Sequence, residues 1–72
     1  MSLRDLRGME PPEPLEIILD LAETLAQGER VSFILPHYPA PLIPHLQAMG
    51  LYYQSEIQQD DAGGIILHLE RR

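Results

Sequence analysis

The chain contains no cysteine, no lysine and no tryptophan. Without cysteine there is no disulfide, no thiolate nucleophile and no zinc cluster of the cysteine type. Without lysine, five arginines stand against eleven acidic residues, for a formal net charge of −6. That balance repels a phosphate backbone instead of releasing its counterions, so nucleic-acid binding is disfavoured. No apolar run approaches the roughly 18 residues needed to span a bilayer, and the N-terminus lacks the apolar core of a signal peptide. A soluble, cytoplasmic protein with no membrane contact is the expectation. There is no linker, repeat or low-complexity segment. Gly63-Gly64 lies in a turn between strands, not ahead of a helix, and so makes no phosphate loop.

What is present suits a small globular fold. Hydrophobic residues make up 44% of the 72, well away from the composition of disordered chains. A chain this short forms one domain, here residues 1–72, and buries only about 60% of its unfolded surface, so its core is small.

Residues 3–7 can form a short first strand, with Gly8 permitting a sharp exit. Pro11, Pro12 and Pro14 suit a first helical turn, where a missing N–H costs nothing, and place the helix start near Pro12. Leu15, Ile18, Leu19, Ala22, Leu25 and Ala26 recur at helical spacing and make one core-facing stripe, with Leu21 at its edge and Gly28 as the stop. Glu13, Glu16, Asp20 and Glu23 share the opposite arc. They form a solvated face that favours the helix dipole at its N-terminal end, or a docking surface for a basic partner. Ile17 falls outside both groups and is a candidate contact residue.

Residues 30–35 are too short and too rich in β-branched and aromatic side chains for a helix and read as a second strand, ended by Pro36. Strand, helix and strand then make a βαβ unit with parallel strands. With Pro44 confined to its first turn, a second helix fits residues 41–49, stopped by Gly50. Residues 51–58 and 65–70 alternate as strands, joined by a turn through Asp60, Asp61, Ala62, Gly63 and Gly64. Ile65, Leu67 and Leu69 face the core, while Ile66, His68 and Glu70 face away. Tyr52 and Tyr53 point to opposite faces, one into the core and one outward. The elements read βαβαββ, an α+β two-layer sandwich.

The stretch Asp5-Leu6-Arg7-Gly8-Met9-Glu10-Pro11-Pro12-Glu13-Pro14 resembles the signature of the TusA/SirA-like small sulfur carriers, Asp-x-x-Gly-x-x-Cys-Pro-x-Pro. The resemblance covers essentially the whole chain, and His37-Tyr38-Pro39 looks like the proline-containing loop after strand two in many members. It implies a four-stranded mixed sheet in the order 1-2-4-3 with both helices on one face. It also places Pro11 where those carriers hold their persulfide-bearing cysteine, and so points to an uncharacterised branch in which Pro-Pro replaces Cys-Pro. Sulfur relay is then chemically untenable. What remains is a non-catalytic binding or regulatory module, with Gly8, Glu10, Pro11, Pro12, Glu13 and Pro14 as the vacated carrier site and an unknown, basic protein as partner.

Other chemistries find little support. The hydroxyl candidates Ser2, Thr24, Ser32 and Ser55 sit at no recognisable catalytic turn, so no enzyme is expected. His37, His45 and His68 show no metal-ligand spacing; as a set they are a weak alternative metal site, and no cofactor is expected. His37 and Tyr38 are better placed as small-ligand or partner contacts, because both βα junctions emerge at one end of a parallel strand pair, near the start of helix one. A small ligand- or metal-binding domain using them is the alternative reading. The oligomeric state is left open.

Overall fold

The computed structural model describes residues 2–8, 13–59 and 63–72. Glu10, Pro11 and Pro12 of the motif, and Asp60, Asp61 and Ala62 of the turn, lie outside the described residues. Along the chain run β1 (Ser2–Asp5), α1 (Glu13–Thr24), β2 (Arg30–Leu35), a 3₁₀ turn (Ala40–Leu42), α2 (Ile43–Ala48), β3 (Tyr52–Ile57) and β4 (Ile65–Glu70). The strands form one sheet in the order β1-β2-β4-β3. β1 runs parallel to β2, while β4 is antiparallel to both β2 and β3. No helix among the described residues is long and apolar enough to cross a membrane.

The period of two in β2 and β4 sets the layers. Val31, Phe33 and Leu35 of β2 pair with Leu69, Leu67 and Ile65 of β4, and their side chains share one cluster with Ile18 and Ala22 of α1 and Leu46 of α2. Both helices therefore cover the same sheet face, as expected. Burying side chains such as Phe33, Leu46 and Leu67, each with essentially no exposure, contributes about 1.5–3 kcal/mol apiece.

β1 is shorter than the expected residues 3–7 because Asp5 accepts hydrogen bonds from the Arg7 backbone N–H (3.1 Å) and guanidinium (Nε, 3.0 Å; Nη2, 2.8 Å), curling the chain out of the sheet. Leu6 still donates its N–H to the Ile34 carbonyl at 2.8 Å. α1 ends at Thr24, ahead of the expected stop at Gly28. Arg71 causes this: its Nε donates to the Leu25 carbonyl at 2.6 Å and its Nη2 to the Ala22 carbonyl at 3.2 Å. A cation thus takes the orphan carbonyls at the negative end of the helix. Glu29 takes the Ala26 N–H at 2.6 Å, and Ala26, placed by its spacing in the core stripe, is exposed. Ile17 is half-buried and packs against the core cluster.

The second helix also differs from the expected residues 41–49. Pro41 and Pro44 cannot donate, so the chain first makes a tight turn in which Leu42 donates to the Pro39 carbonyl at 2.9 Å, and α-helix follows only over Ile43–Ala48. Gly50, at φ +72°, then redirects the chain into β3.

Candidate functional site

Three surfaces carry the residues of interest. At the sheet end where β1 and β2 finish, the Asp5–Arg7 pair continues to the β3–β4 turn, where Arg7 Nη1 donates to the Gly63 carbonyl at 3.2 Å. The hydrogen bonds from Arg7 hold the Asp5 carboxyl down at about 2, against an ordinary 3.8. Gly64, at φ +94°, sits so close that a Cβ there would collide with the Leu35 carbonyl oxygen. His37 and Tyr38 lie exposed after β2 at this end. Gly8 is exposed in the turn after β1, outside the left-handed region and with nothing near a would-be Cβ. The turn does follow β1 at Gly8, in a backbone conformation open to other residues as well.

The second surface is the outer arc of α1. Glu16, Asp20 and Glu23 are exposed, and none has an ion-pair partner among the described residues. Glu13 begins the helix as described.

The third surface, the sheet face without helices, holds an arrangement the sequence did not reveal. Ser32 of β2, only 2% exposed, shares a 2.6 Å hydrogen bond with His68 Nδ1 of β4, and His68 Nε2 meets Glu56 Oε1 of β3 at 3.0 Å. One register row along, Glu70 takes Arg30 Nε on one carboxylate oxygen and Arg72 Nε on the other, each at 2.7 Å. The Arg72 guanidinium lies 3.8 Å from the centroid of the Tyr52 ring, a cation–π contact. Arg72 and then Arg30 hold the Glu70 carboxyl below its usual range, and Glu70 raises Arg72 in return. Between these rows lies a cleft of about 600 Å³ lined by Arg30, Ser32, Tyr52, Gln54, His68 and Arg72, among others. The alternation of β4 had put His68 on this face, and Ser32 is the one buried polar side chain among the described residues. Only the strand order makes them neighbours.

Chemically, the Ser32–His68–Glu56 chain satisfies a buried hydroxyl and can relay a proton between strands. The three histidines are not brought together. His37 is in the loop after β2, His45 is on α2, against the opposite sheet face from His68, and no group of three metal-ligating side chains forms among the described residues. Of the two tyrosines, Tyr53 packs on the core, where its hydroxyl accepts from Gln47 Nε2 at 3.3 Å, and Tyr52 is the outward one.

A βαβαββ chain with a 1-2-4-3 sheet and two helices on one face has a SirA-like fold. It is similar to the crystal structure of a SirA-like protein from Desulfitobacterium hafniense, to which the chain is 27% identical, with 96% of this chain and 95% of that chain covered at a TM-score of 0.62. Residues 4–71 match the family model of the uncharacterized conserved protein DUF2249, and the chain belongs to that family. No curated protein matches it.

Proposed function

We propose that this domain is a non-catalytic binding module, acting by protein–protein contact in a fold whose sulfur-carrying relatives also need a reactive thiol. The observation that carries the reading is the cysteine-free sequence, with Pro11 at the motif's cysteine position, in a SirA-like domain. A thiolate is the only group in such a carrier that accepts sulfane sulfur. The Ser32–His68–Glu56 chain does not supply a substitute nucleophile. The Ser32 hydroxyl is covered, and the strand that holds it is hydrogen-bonded on both sides, so no free backbone N–H stands by to stabilise an oxyanion.

The docking surface is the arc of Glu16, Asp20 and Glu23. Three carboxylates on one helix face without an ion-pair partner among the described residues, in a chain of net charge −6, attract a basic partner and speed its encounter at low salt. The test is capture of a partner from native-host extract by wild type and by a Glu16→Lys, Asp20→Lys, Glu23→Lys triple variant whose fold is checked by circular dichroism. A basic protein retained by wild type, released by salt and missed by the variant supports the reading. Equal capture by both removes the acidic face from it. Hydrolase activity lost in Ser32→Ala would overturn the non-catalytic part.

A further inference from the structure

The order β1-β2-β4-β3 leaves two sheet edges, and they are built differently. β1 is four residues long and carries Arg4 and Asp5, the charges that discourage strand addition at an edge. β3 is six residues long, mostly exposed, free of proline and carries one charge, Glu56, which is engaged by His68. At its end Ile57 is 76% exposed.

The ladder fixes which backbone groups face out. Gln58 donates its N–H to the Gly64 carbonyl, so by the alternation of an antiparallel pair Tyr52, Gln54 and Glu56 point their N–H and C=O groups at β4. Tyr53, Ser55 and Ile57 point theirs outward, and these backbone groups have no partner among the described residues. We propose that β3 pairs antiparallel with β3 of a second copy, about a two-fold axis through Ser55, to make one continuous eight-stranded sheet.

Physical constraints select the register. Facing residues must lie on the same side of the joined sheet, so a strand pairing with itself must match odd positions with odd positions. Outward groups must also meet outward groups. Centring on Ser55 satisfies both and sets Tyr53 against Ile57 of the second copy, so the exposed Ile57 gains an aromatic cross-strand neighbour on each side of the dyad. A two-residue slip of the register also matches outward groups, but with its centre on Gln54 it sets Ile57 opposite Leu51, outside β3, and with its centre on Glu56 it sets the two Glu56 carboxylates against each other. On the other face Gln54 stands opposite Glu56, so no carboxylate directly faces another. Each copy is still acidic overall, so association strengthens as salt screens the long-range repulsion.

The absence of cysteine makes the test clean. Sedimentation equilibrium on the wild-type chain should show the mass rising with concentration from 8.2 kDa toward twice that value, more readily at higher salt, and Ile57→Lys should hold it at the monomer. Ser55→Cys should oxidise to a covalent dimer, since facing hydrogen-bonded residues have Cα atoms about 5.5 Å apart, within the range of about 4.4–6.8 Å that a disulfide bridges. Gln54→Cys should not, because its opposite is Glu56. A wild-type chain that stays monomeric at millimolar concentration, an Ile57→Lys chain that still dimerises, or equal cross-linking at 54 and 55 would each overturn the proposal.

Discussion

Replacing Gly64 by alanine tests the joint between the β3–β4 turn and the centre of the sheet. Two penalties fall on the same atom. The backbone is at φ +94°, a conformation that costs a residue with a Cβ about 1–2 kcal/mol. The new methyl would also overlap the carbonyl oxygen of Leu35. That oxygen belongs to a strand paired on both sides and cannot retreat, so overpacking adds about 1–3 kcal/mol. The sum is about 2–5 kcal/mol, against a total stability of about 4–11 kcal/mol for 72 residues. With about 4–8 °C of melting temperature per kcal/mol in a domain of this size, Gly64→Ala should melt about 10 °C or more below wild type. Gly50→Ala isolates the first penalty, since φ there is +72° and nothing stands near its Cβ; it should lose about 1–2 kcal/mol. Gly8→Ala, with neither penalty although it alters the motif, should stay within about 1 kcal/mol of wild type. Urea unfolding of the three variants gives the ranking directly. If Gly8→Ala proved the most damaging, the motif glycine would have a role that the backbone does not display, and the argument would fail.

Asp5 titrates at about 2 where an unpaired aspartate titrates at 3.8. Its contribution is thus complete above the higher value and is lost as pH falls toward the lower. The stability difference between wild type and Asp5→Asn should shrink across that acid window; a difference that did not change with pH would refute the pairing. His68→Leu should cost about 1–3 kcal/mol by stranding the buried Ser32 hydroxyl, Ser32→Ala only about 0.5–1.5, and the double variant should recover part of the loss. Purely additive denaturation energies would show that the hydrogen bond contributes nothing. In Pro11→Cys the thiol, two residues ahead of the helical Glu13, should titrate below the unperturbed value of about 8.5, as followed by ultraviolet absorbance of the thiolate. A normal or raised value would remove the main support for an inherited carrier-site environment.

The parts of the fold legible in the sequence were those set by local pattern. β2 and β4 came out with their observed bounds because a run such as Arg30–Leu35 or Ile65–Glu70 is apolar, alternating and closed by proline or glycine at one end. The helix ends were less legible: a distant residue caps α1, and Pro41 and Pro44 put a 3₁₀ turn ahead of α2. Arg71, not Gly28, determines how α1 finishes, and Ala26 leaves the core stripe as a result. At the site, the exposed acidic arc followed from helical spacing alone. The Ser32–His68–Glu56 chain joins three strands and needs the cross-strand register, which no spacing along the chain encodes. Gly8 drew attention through its motif, yet Gly64, in no motif, has the tighter steric constraint.

The strand made last in this domain, β4, is inserted between β2 and β3 and fills the middle of the sheet. Without residues 65–70 only the β1–β2 pairing remains available, and β3 has no neighbour across the gap where the shared strand belongs. Both borders of that gap are bare strand edges, and the apolar sides of Val31 and Phe33 lack their partners Leu69 and Leu67. Such a species should not persist as a folded half-domain; it is a transient that recruits strands from whatever is near. Folding must therefore be concerted, gated by a late, non-local insertion. Any truncation or early stop before β4 should give an aggregating polypeptide, not a smaller version of the protein.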